Sequence, residues 1–421
     1  MTTSTASPAR LRPGDRKSRP PLAVTRAHPL RRVVWDTPLV RVLVTSPATL
    51  GHLQPLVPLV RALRNTGNEV LWAVPADGVA DVERRGLPAA SVADALPVGP
   101  ALAMERFPEL RLLAPEQVPA VMFGKLFGAI AAPAMVDGLQ DLADEWRPDV
   151  IVCDAAEFAG HLVAARRGVP SVTKGFGPLL PEERVAAASD EVAELWTARG
   201  LEPRRYGGCY DTLYLDPYPE SLGSADRSHV PARRWIRPDA DYDAVATGDV
   251  TLPPGDDPLV YVTLGTMFND PGSLQTALDA VLSLPVRALV TVGPGGDPGA
   301  LGSTSPRVRV ETYVPQQMVL PHCAAVVSHG GSGTALGALA LGIPQLCLPQ
   351  GADQFLNAAA IASSGAGMSL GPSEVSVESV HDRLGRVLGE PGFAVAAQRI
   401  ARDIAAMPSP ADAARTITDL V

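Results

Sequence analysis

The sequence predicts an α/β protein built of two doubly wound domains of similar size. The chain has 421 residues, enough for two or three domains, and 46% of them are hydrophobic. Short apolar runs typical of buried strands alternate with segments of helical spacing, as in parallel sheets. A stretch rich in Pro, Asp and Gly, residues 236–257, interrupts this alternation and predicts a linker. The domains are therefore expected at 39–235 and 258–405, with a C-terminal helix at 406–421 packing back on the first domain.

The first domain opens with a strand, a loop, a helix and a second strand. LVRVLVTS (39–46) and EVLWAVP (69–75) are buried-strand runs. Between them, PATLGH (47–52) predicts a loop and QPLVPLVRALRNTG (54–67) a helix with Pro near its start and Gly at its end. The strand–helix–strand pattern returns over 147–173. Because a helix separates the strands in each unit, we expect them to pair in parallel.

The second domain repeats the alternation after the linker. Ligands of doubly wound sheets bind at the carboxyl ends of the strands, so two such domains facing each other predict a cleft between them. Residues 95–140 and 178–230 of the first domain are less regular. The predicted strands of the second domain are residues 259–265, 286–293, 307–313, 324–330 and 344–349.

Composition excludes several classes of function. The net charge of −9 disfavours nucleic acid and anionic membranes as partners, and no apolar run reaches the ~18 residues of a membrane span. None of the four cysteines forms a C-x-x-C pair, so we expect reduced thiols in a cytoplasmic protein. Residues 1–38 are rich in Pro, Arg, Ser and Thr without the apolar region of a signal peptide, and are predicted to be a flexible extension.

The segment SHGGSGTALGALALG (328–342) places a His and several glycines between a strand and a helix. Two interpretations fit. The glycines and the N–H groups of the helix start, with His329, form a cradle for a phosphate, or the glycines only permit a tight turn. The sequence has neither a G-x-x-x-x-G-K-[ST] motif nor a strand followed by G-x-G-x-x-G with its acidic partner, which disfavours a nucleotide hydrolase and a dehydrogenase.

The longer segment YVPQQMVLPHCAAVVSHGGSGTALGALALGIPQLCLPQGADQFLNA (313–358) resembles the nucleotide-sugar signature of the family 1 inverting glycosyltransferases. It is most similar to the actinobacterial members that glycosylate natural products, and the resemblance extends more loosely from residue 39 to the C-terminus. It implies the GT-B fold, two Rossmann-like domains facing across a cleft. It also implies sugar transfer from a nucleotide-sugar donor to a small-molecule acceptor, with no cofactor and no metal.

The resemblance implies roles for the residues that match the signature. Tyr313 takes the place of an aromatic residue that stacks on the base, with Val314 and Gln316 beside it. Asp353 and Gln354 match an acid–amide pair that binds donor-sugar hydroxyls, although Asp353 also stands where a helix N-cap is expected. The residues matching the diphosphate-binding positions are His329, Gly331, Ser332, Gly333, Thr334 and Thr266.

Gly337 is a departure from the signature. Members that use UDP-sugars often carry a Glu at this position, where it binds the ribose hydroxyls. Because a deoxyribose lacks the 2′-hydroxyl, a buried carboxylate would lose one of its partners there. The glycine therefore favours a dTDP-sugar, and a simple packing choice is the alternative interpretation.

Deprotonation of an acceptor hydroxyl requires a base, and His52 is the candidate among seven histidines. It lies at the carboxyl end of the first strand, and imidazole titrates near working pH. The stretch GHLQPLVPLVRAL resembles the Gly-His-x-x-Pro loop of the family, whose His is the catalytic base. Asp154 matches the Asp that forms a catalytic dyad with this His in the family. Asp154 also occupies a position suited to a helix N-cap, and Glu157 is an alternative partner for His52.

The acceptor site cannot be assigned from a motif. Several apolar side chains are candidates for its lining, although they are equally suited to a core. They are Met104, Phe107, Met122, Phe123, Phe127 and Phe158.

Two alternative functions share the predicted cleft: a nucleotide-sugar 2-epimerase and a non-catalytic nucleotide-sugar-binding partner. An epimerase needs several carboxylates around the sugar and no acceptor pocket, and the retained His52 and Asp154 argue against a non-catalytic protein. The D-x-D spacing in DADYD (239–243) lies in the linker and is interpreted as solvated charge, so no metal site is expected.

Overall fold

The computed structural model describes residues 39–96, 98–113, 118–223, 226–239, 250–265, 271–293, 296–302 and 305–421. Within them the chain forms two parallel β-sheets, each flanked by helices, which confirms the doubly wound α/β class. The extension 1–38, Thr266 and most of the DADYD stretch lie outside the described residues.

The first sheet has the strand order β3-β2-β1-β4-β5-β6-β7, and the pairs between these strands are parallel. The order reverses between β1 and β4, so the carboxyl ends of these strands form the point at which such sheets bind ligands. The strands are β1 (Arg41–Thr45), β2 (Glu69–Pro75), β3 (Ala89–Ala93), β4 (Val150–Asp154), β5 (Ser171–Lys174), β6 (Leu213–Asp216) and β7 (Arg233–Trp235).

The second sheet has the order β10-β9-β8-β11-β12-β13 and is also parallel. Its reversal lies between β8 and β11, and β11 leads directly into the Gly-rich segment at residue 329. The strands are β8 (Leu259–Thr263), β9 (Arg287–Thr291), β10 (Val308–Glu311), β11 (Ala325–Ser328), β12 (Gln345–Cys347) and β13 (Gly367–Ser369).

Helices cover both faces of each sheet and bury the apolar strands. In the first domain, the described α-helices are α1 (Leu50–Leu53), α2 (Val57–Asn65), α3 (Ala76–Arg84), α4 (Pro100–Arg106), α5 (Val118–Phe123), α6 (Ala132–Trp146), α7 (Ala159–Arg167) and α8 (Glu182–Thr197). After the linker they are α9 (Pro271–Leu282), α10 (Gln316–Val319), α11 (Ser332–Ala340), α12 (Gln354–Ser364), α13 (Val377–Gly389), α14 (Pro391–Ala406) and α15 (Pro410–Thr418).

The stretches predicted as a loop or as less regular, 47–52, 95–140 and 178–230, all contain helical residues. His52 lies within α1, which a 3-10 turn joins to α2, so the predicted loop 47–52 is wrong at its end. The region 178–230 contains the 16-residue α8, whose inward side chains follow helical spacing. These buried residues are Val185, Ala188, Val192 and Trp196.

Helix α8 packs closely against a π-helical segment, Gly124–Ala131, that connects α5 to α6. A Cβ atom at Gly128 would lie 2.8 Å from the carbonyl oxygen of Ala188, so this approach requires glycine. The continuous helix Val121–Trp146 is long and apolar enough to cross a membrane, but half of its most apolar window is buried in the protein. A core helix of a soluble protein has the same character.

The C-terminal helix α15 packs against α2 of the first domain. Its apolar residues Ala413, Ala414 and Ile417 are buried in a cluster that includes Val42 and Trp72 from β1 and β2. The chain therefore returns to the first sheet after completing the second.

We predict that Ile417→Ala lowers the free energy of unfolding by about 2–5 kcal/mol, because Ile417 is fully buried and the substitution leaves a cavity. Urea denaturation followed by tryptophan fluorescence measures the loss, since Trp72 lies in the same cluster. Leu420→Ala is the matched control, because Leu420 is 37% exposed, and it should cost less than about 1 kcal/mol. Equal effects of the two substitutions would contradict the docking of α15.

Candidate active site

A cavity of about 560 Å³ lies between the carboxyl edges of the two sheets. The first domain contributes α1, the apolar segment around α4 and α5, and residues Phe176 and Arg184. The second domain contributes residues 312–317, the Gly-rich segment 329–334 and the loop 350–355. The predicted cleft is thus present, and both halves of the chain line it.

His52 and Asp154 meet at the β1–β4 junction. Asp154 is the last residue of β4, and α1 follows β1 closely, so the two side chains lie at one edge of the sheet. The Nδ1 atom of His52 is 2.8 Å from the Oδ1 atom of Asp154. The His52 ring also makes edge contacts with Phe127 and Phe176, with centroid distances of 5.2 and 4.8 Å. His52 lines the cavity, and because Asp154 holds Nδ1, the ring nitrogen left for other contacts is Nε2.

The carboxylates of Asp154 and Glu157 make different hydrogen bonds. Helix α7 has Phe158 at its N-cap position, with no side-chain cap from that residue. The N–H groups of Ala159 and Gly160 instead donate to the Glu157 carboxylate, at 2.7 and 2.9 Å. Asp154 does not cap the helix: its Oδ1 accepts a hydrogen bond from the Ala156 N–H and faces His52.

The environment of His52 favours its protonated form. Burial by itself lowers the pKa of His52, but the charge and hydrogen bond of Asp154 and the charge of Asp353 outweigh burial, so the pKa is raised. His161, by contrast, lies inside α7 with its Nδ1 3.0 Å from the Ser171 hydroxyl. Burial and the charge of Arg204 lower the pKa of His161 to about 3, so this ring stays neutral.

The Gly-rich segment turns the chain from β11 into α11. Gly330 has a φ of +79°, which favours glycine, and Gly331 occupies the N-cap position without a side chain to cap the helix. The first N–H groups of α11 therefore point toward the cavity without a capping side chain, which is the arrangement that attracts an anion.

The position of the His329 ring explains why two nearby residues are glycines. A Cβ atom at Gly331 would lie 2.4 Å from the Nε2 of His329, and one at Gly265 would lie 2.6 Å from its Cε1. The imidazole is thus packed between two bare backbone segments. Burial lowers the pKa of His329 to about 4, even though the Asp353 charge raises it, so His329 is a neutral hydrogen-bonding group at pH 7.

Asp353 stands at the N-cap position of α12 but does not cap it. Its Oδ2 instead accepts hydrogen bonds from the Ser332 hydroxyl at 2.5 Å and from the Asn357 Nδ2 at 3.2 Å. Ala352 precedes it with a φ of 54°, a conformation that costs a non-glycine residue about 1–2 kcal/mol. This strained residue and Asp353 both line the cavity.

The remaining predicted donor residues lie along the same wall. Tyr313 is 45% exposed and lines the cavity, as a ring that stacks on a base would, and the buried Val314 lies beside it. Gln316 donates to the Thr334 hydroxyl at 2.7 Å. The Oε1 of Gln354 accepts from the N–H groups of residues 350 and 351, so this side chain also braces the loop.

Of the six candidates for the acceptor lining, four lie along the cavity and two do not. Met104, Met122, Phe123 and Phe127 line the cavity. Phe158 is instead buried in the core of the first domain, because the chain turns inward before α7. Phe107 packs on a satellite cluster beneath α4, with the Lys125 ammonium 4.8 Å from its ring centre.

Several lining residues were not predicted from the sequence. Phe176 follows β5 at the same edge as His52, which a strand-end rule could have found. Arg184 lies in a region predicted as irregular, and no local pattern marks it. Among the described residues, no group of three or more His, Cys, Asp or Glu side chains is arranged to hold a metal ion.

Comparison with known proteins identifies the family. Residues 112–195 match the N-terminal domain of the family described as erythromycin biosynthesis protein CIII-like, and residues 275–420 match its C-terminal domain. Elloramycin glycosyltransferase ElmGT of Streptomyces olivaceus is 35% identical over 396 residues, which cover 89% of this chain and 96% of that protein. The chain belongs to the family 1 glycosyltransferases of natural-product biosynthesis.

Other relatives agree with this assignment. L-demethylnoviosyl transferase of Streptomyces niveus is 31% identical over 383 residues, covering 88% of this chain and 96% of that protein. The crystal structure of glycosyltransferase VinC in complex with dTDP superimposes with a TM-score of 0.75 and 25% identity, over 90% of this chain and 99% of VinC. The GT-B fold is therefore confirmed, and the enzyme is a glycosyltransferase.

We predict that Gly331→Ala weakens dTDP binding about 10-fold by displacing His329, because the new methyl group would overlap the imidazole. Calorimetric titration measures the affinity. Gly333→Ala is the matched control, since a Cβ atom there has no neighbour within 4 Å outside its own helix, and its effect should be smaller.

A double-mutant cycle separates this mechanism from a direct clash with the ligand. If Gly331→Ala acts through the imidazole, it has little further effect in a His329→Ala protein. An equal loss of affinity in both backgrounds would contradict the displacement of His329.

Proposed function

We propose that this glycosyltransferase moves a sugar from a dTDP-sugar to a hydroxyl of an apolar natural-product acceptor, with inversion, using His52 as the base. The observation that carries this proposal is the 2.8 Å contact between His52 Nδ1 and Asp154 Oδ1 at the border between the apolar and polar parts of the cavity. An acceptor lying against Phe127 places its hydroxyl beside His52, while the donor lies against the Gly-rich segment.

The reaction follows from this arrangement. The Nε2 of His52 takes the proton of the acceptor hydroxyl as its oxygen attacks the anomeric carbon of the donor sugar. A new carbon–oxygen bond forms, and the bond from the anomeric carbon to the β-phosphate oxygen breaks, with its electron pair leaving on the diphosphate. Asp154 stabilises the resulting imidazolium, and the N-terminus of α11 stabilises the departing charge.

The preference for a dTDP-sugar rests on two observations. Gly337 is buried in α11 on the turn after Thr334 and presents no carboxylate to a ribose 2′-hydroxyl. VinC, which shares the fold over nearly its whole length, binds dTDP.

A 2-epimerase is not favoured, because Asp353 is the one carboxylate among the described residues that line the cavity. Apolar side chains, Leu126 among them, form a large part of the described lining. An epimerase would not need such an apolar surface.

The direct test is incubation of the enzyme with dTDP-glucose or UDP-glucose and a panel of polyketide aglycones and polyphenols, read by mass spectrometry. We expect a glycoside, formed faster from the dTDP-sugar. The His52→Ala enzyme should form none while still binding dTDP. An epimerised donor, or a strong preference for UDP-glucose, would contradict the corresponding part of the proposal.

The pH dependence of kcat/KM tests the dyad. The base acts as neutral imidazole, so activity should fall as pH decreases through the raised pKa of His52. In Asp154→Asn the charge that raises this pKa is absent while burial still lowers it, so the acid limb should move to lower pH. The rate on the plateau should fall by about 10²- to 10⁴-fold, because the imidazole loses its orientation.

The matched control is Asp137→Asn, which removes a carboxylate that is 84% exposed and does not line the cavity. This control should change neither the acid limb of the pH profile nor the rate on its plateau. An acid limb that stays fixed in Asp154→Asn would show that His52 is not the group that titrates.

A further inference from the structure

Arg184 lies in the first turn of α8, and its side chain lines the cavity. Within the described part of the chain its guanidinium has no hydrogen bond and no ion pair, although the side chain is partly buried. A cation in the first turn of a helix faces the positive end of the helix dipole, which is unfavourable. Neither the fold nor the helix therefore accounts for an arginine at this position.

The segment leading to Arg184 approaches the Gly-rich segment of the opposite domain. A Cβ atom at Gly177 would lie 1.8 Å from the Ser332 hydroxyl oxygen and 3.3 Å from the Asp353 Oδ2, so only glycine permits this approach. Burial lowers the pKa of Arg184, while the charges of Glu183 and Asp353 raise it. Arg184 is thus within electrostatic reach of the carboxylate that is anchored on the first residue of α11.

The charge of the cavity lining makes this position informative. Among the described residues that line the cavity, Arg184 is the single Lys or Arg. His329 is neutral at pH 7, and Asp353 is acidic. A nucleoside diphosphate brings two or more negative charges into this space, and α11 alone offers only partial charges against them.

We propose that Arg184 binds the diphosphate of the nucleotide-sugar donor from the domain opposite α11, and that it stabilises the negative charge of the leaving group. This inference rests on the proposed function, since it assumes a nucleotide-sugar donor. It assigns part of donor binding to the first domain, whereas the signature segment lies wholly in the second. A guanidinium suits this task because its planar donors pair with two phosphate oxygens.

The test is calorimetric titration of the full-length enzyme with dTDP, UDP and thymidine. Arg184→Met removes the charge and retains an apolar stem, so dTDP and UDP affinity should fall about 10- to 100-fold. Thymidine, which has no phosphate, should bind both proteins equally. The affinity of the native enzyme for dTDP should also weaken more steeply with salt than that of Arg184→Met.

The matched control is Arg166→Met, which removes an exposed arginine of the same domain on α7. Thermal unfolding of each variant checks that the fold is retained. Arg184→Lys is a second variant, which keeps the positive charge but loses the planar guanidinium that pairs with two phosphate oxygens. Arg184→Lys should retain part of the diphosphate affinity.

Unchanged dTDP and UDP affinity in Arg184→Met would overturn the inference and leave the proposed function standing. Unchanged diphosphate affinity with a raised KM for the acceptor would also overturn it, and would assign Arg184 to an anionic acceptor group. If the native enzyme binds neither dTDP nor UDP, the donor class itself is wrong and the inference falls with it.

Discussion

The parallel pairing of β1 with β4 is the constraint on which the first half of the site depends. Thr45 lies opposite Cys153 in the register, so both strands end at one edge and the residues that follow them meet there. Asp154 is buried in this edge and is reached by His52 from α1. The hydrogen bond between them then fixes the ring orientation, while Phe127 and Phe176 hold the imidazole at the border of the apolar surface.

The part of the site around α11 depends on glycines, which leave space that a side chain would otherwise fill. The imidazole of His329 occupies the space that side chains at Gly265 and Gly331 would fill, and Gly177 of the first domain approaches Ser332 for the same reason. Close packing of this kind tolerates no added methyl group without displacement of a neighbour. The glycines around α11 therefore serve two purposes, because they open the N-terminus of the helix and they let the other domain reach it.

The sequence was sufficient to predict the two parallel sheets, because apolar runs and helical spacing alternate over most of the chain. It also placed His52 and Asp154 at strand ends, but it left open whether Asp154 and Asp353 cap helices. For Asp154 that choice depends on where α7 begins, which is at Ala159 rather than directly after Asp154. Asp353 does stand at the N-cap position of α12, but its carboxylate accepts hydrogen bonds from Ser332 and Asn357 instead of capping the helix. Arg184 was not predicted and Phe158 was misplaced, because tertiary packing decides whether such a side chain faces the cavity or the core.

The two histidines of the cavity lie in different electrostatic environments, which suit the two tasks proposed for them. Both rings are partly buried and both experience the charge of Asp353, yet the pKa of His52 is raised and that of His329 is lowered. The difference lies in Asp154, which contacts His52 directly, whereas no carboxylate among the described residues contacts His329. His52 is consequently able to accept and hold a proton. His329 stays neutral at pH 7, and a neutral imidazole can still donate a hydrogen bond to the anion proposed to bind beside it.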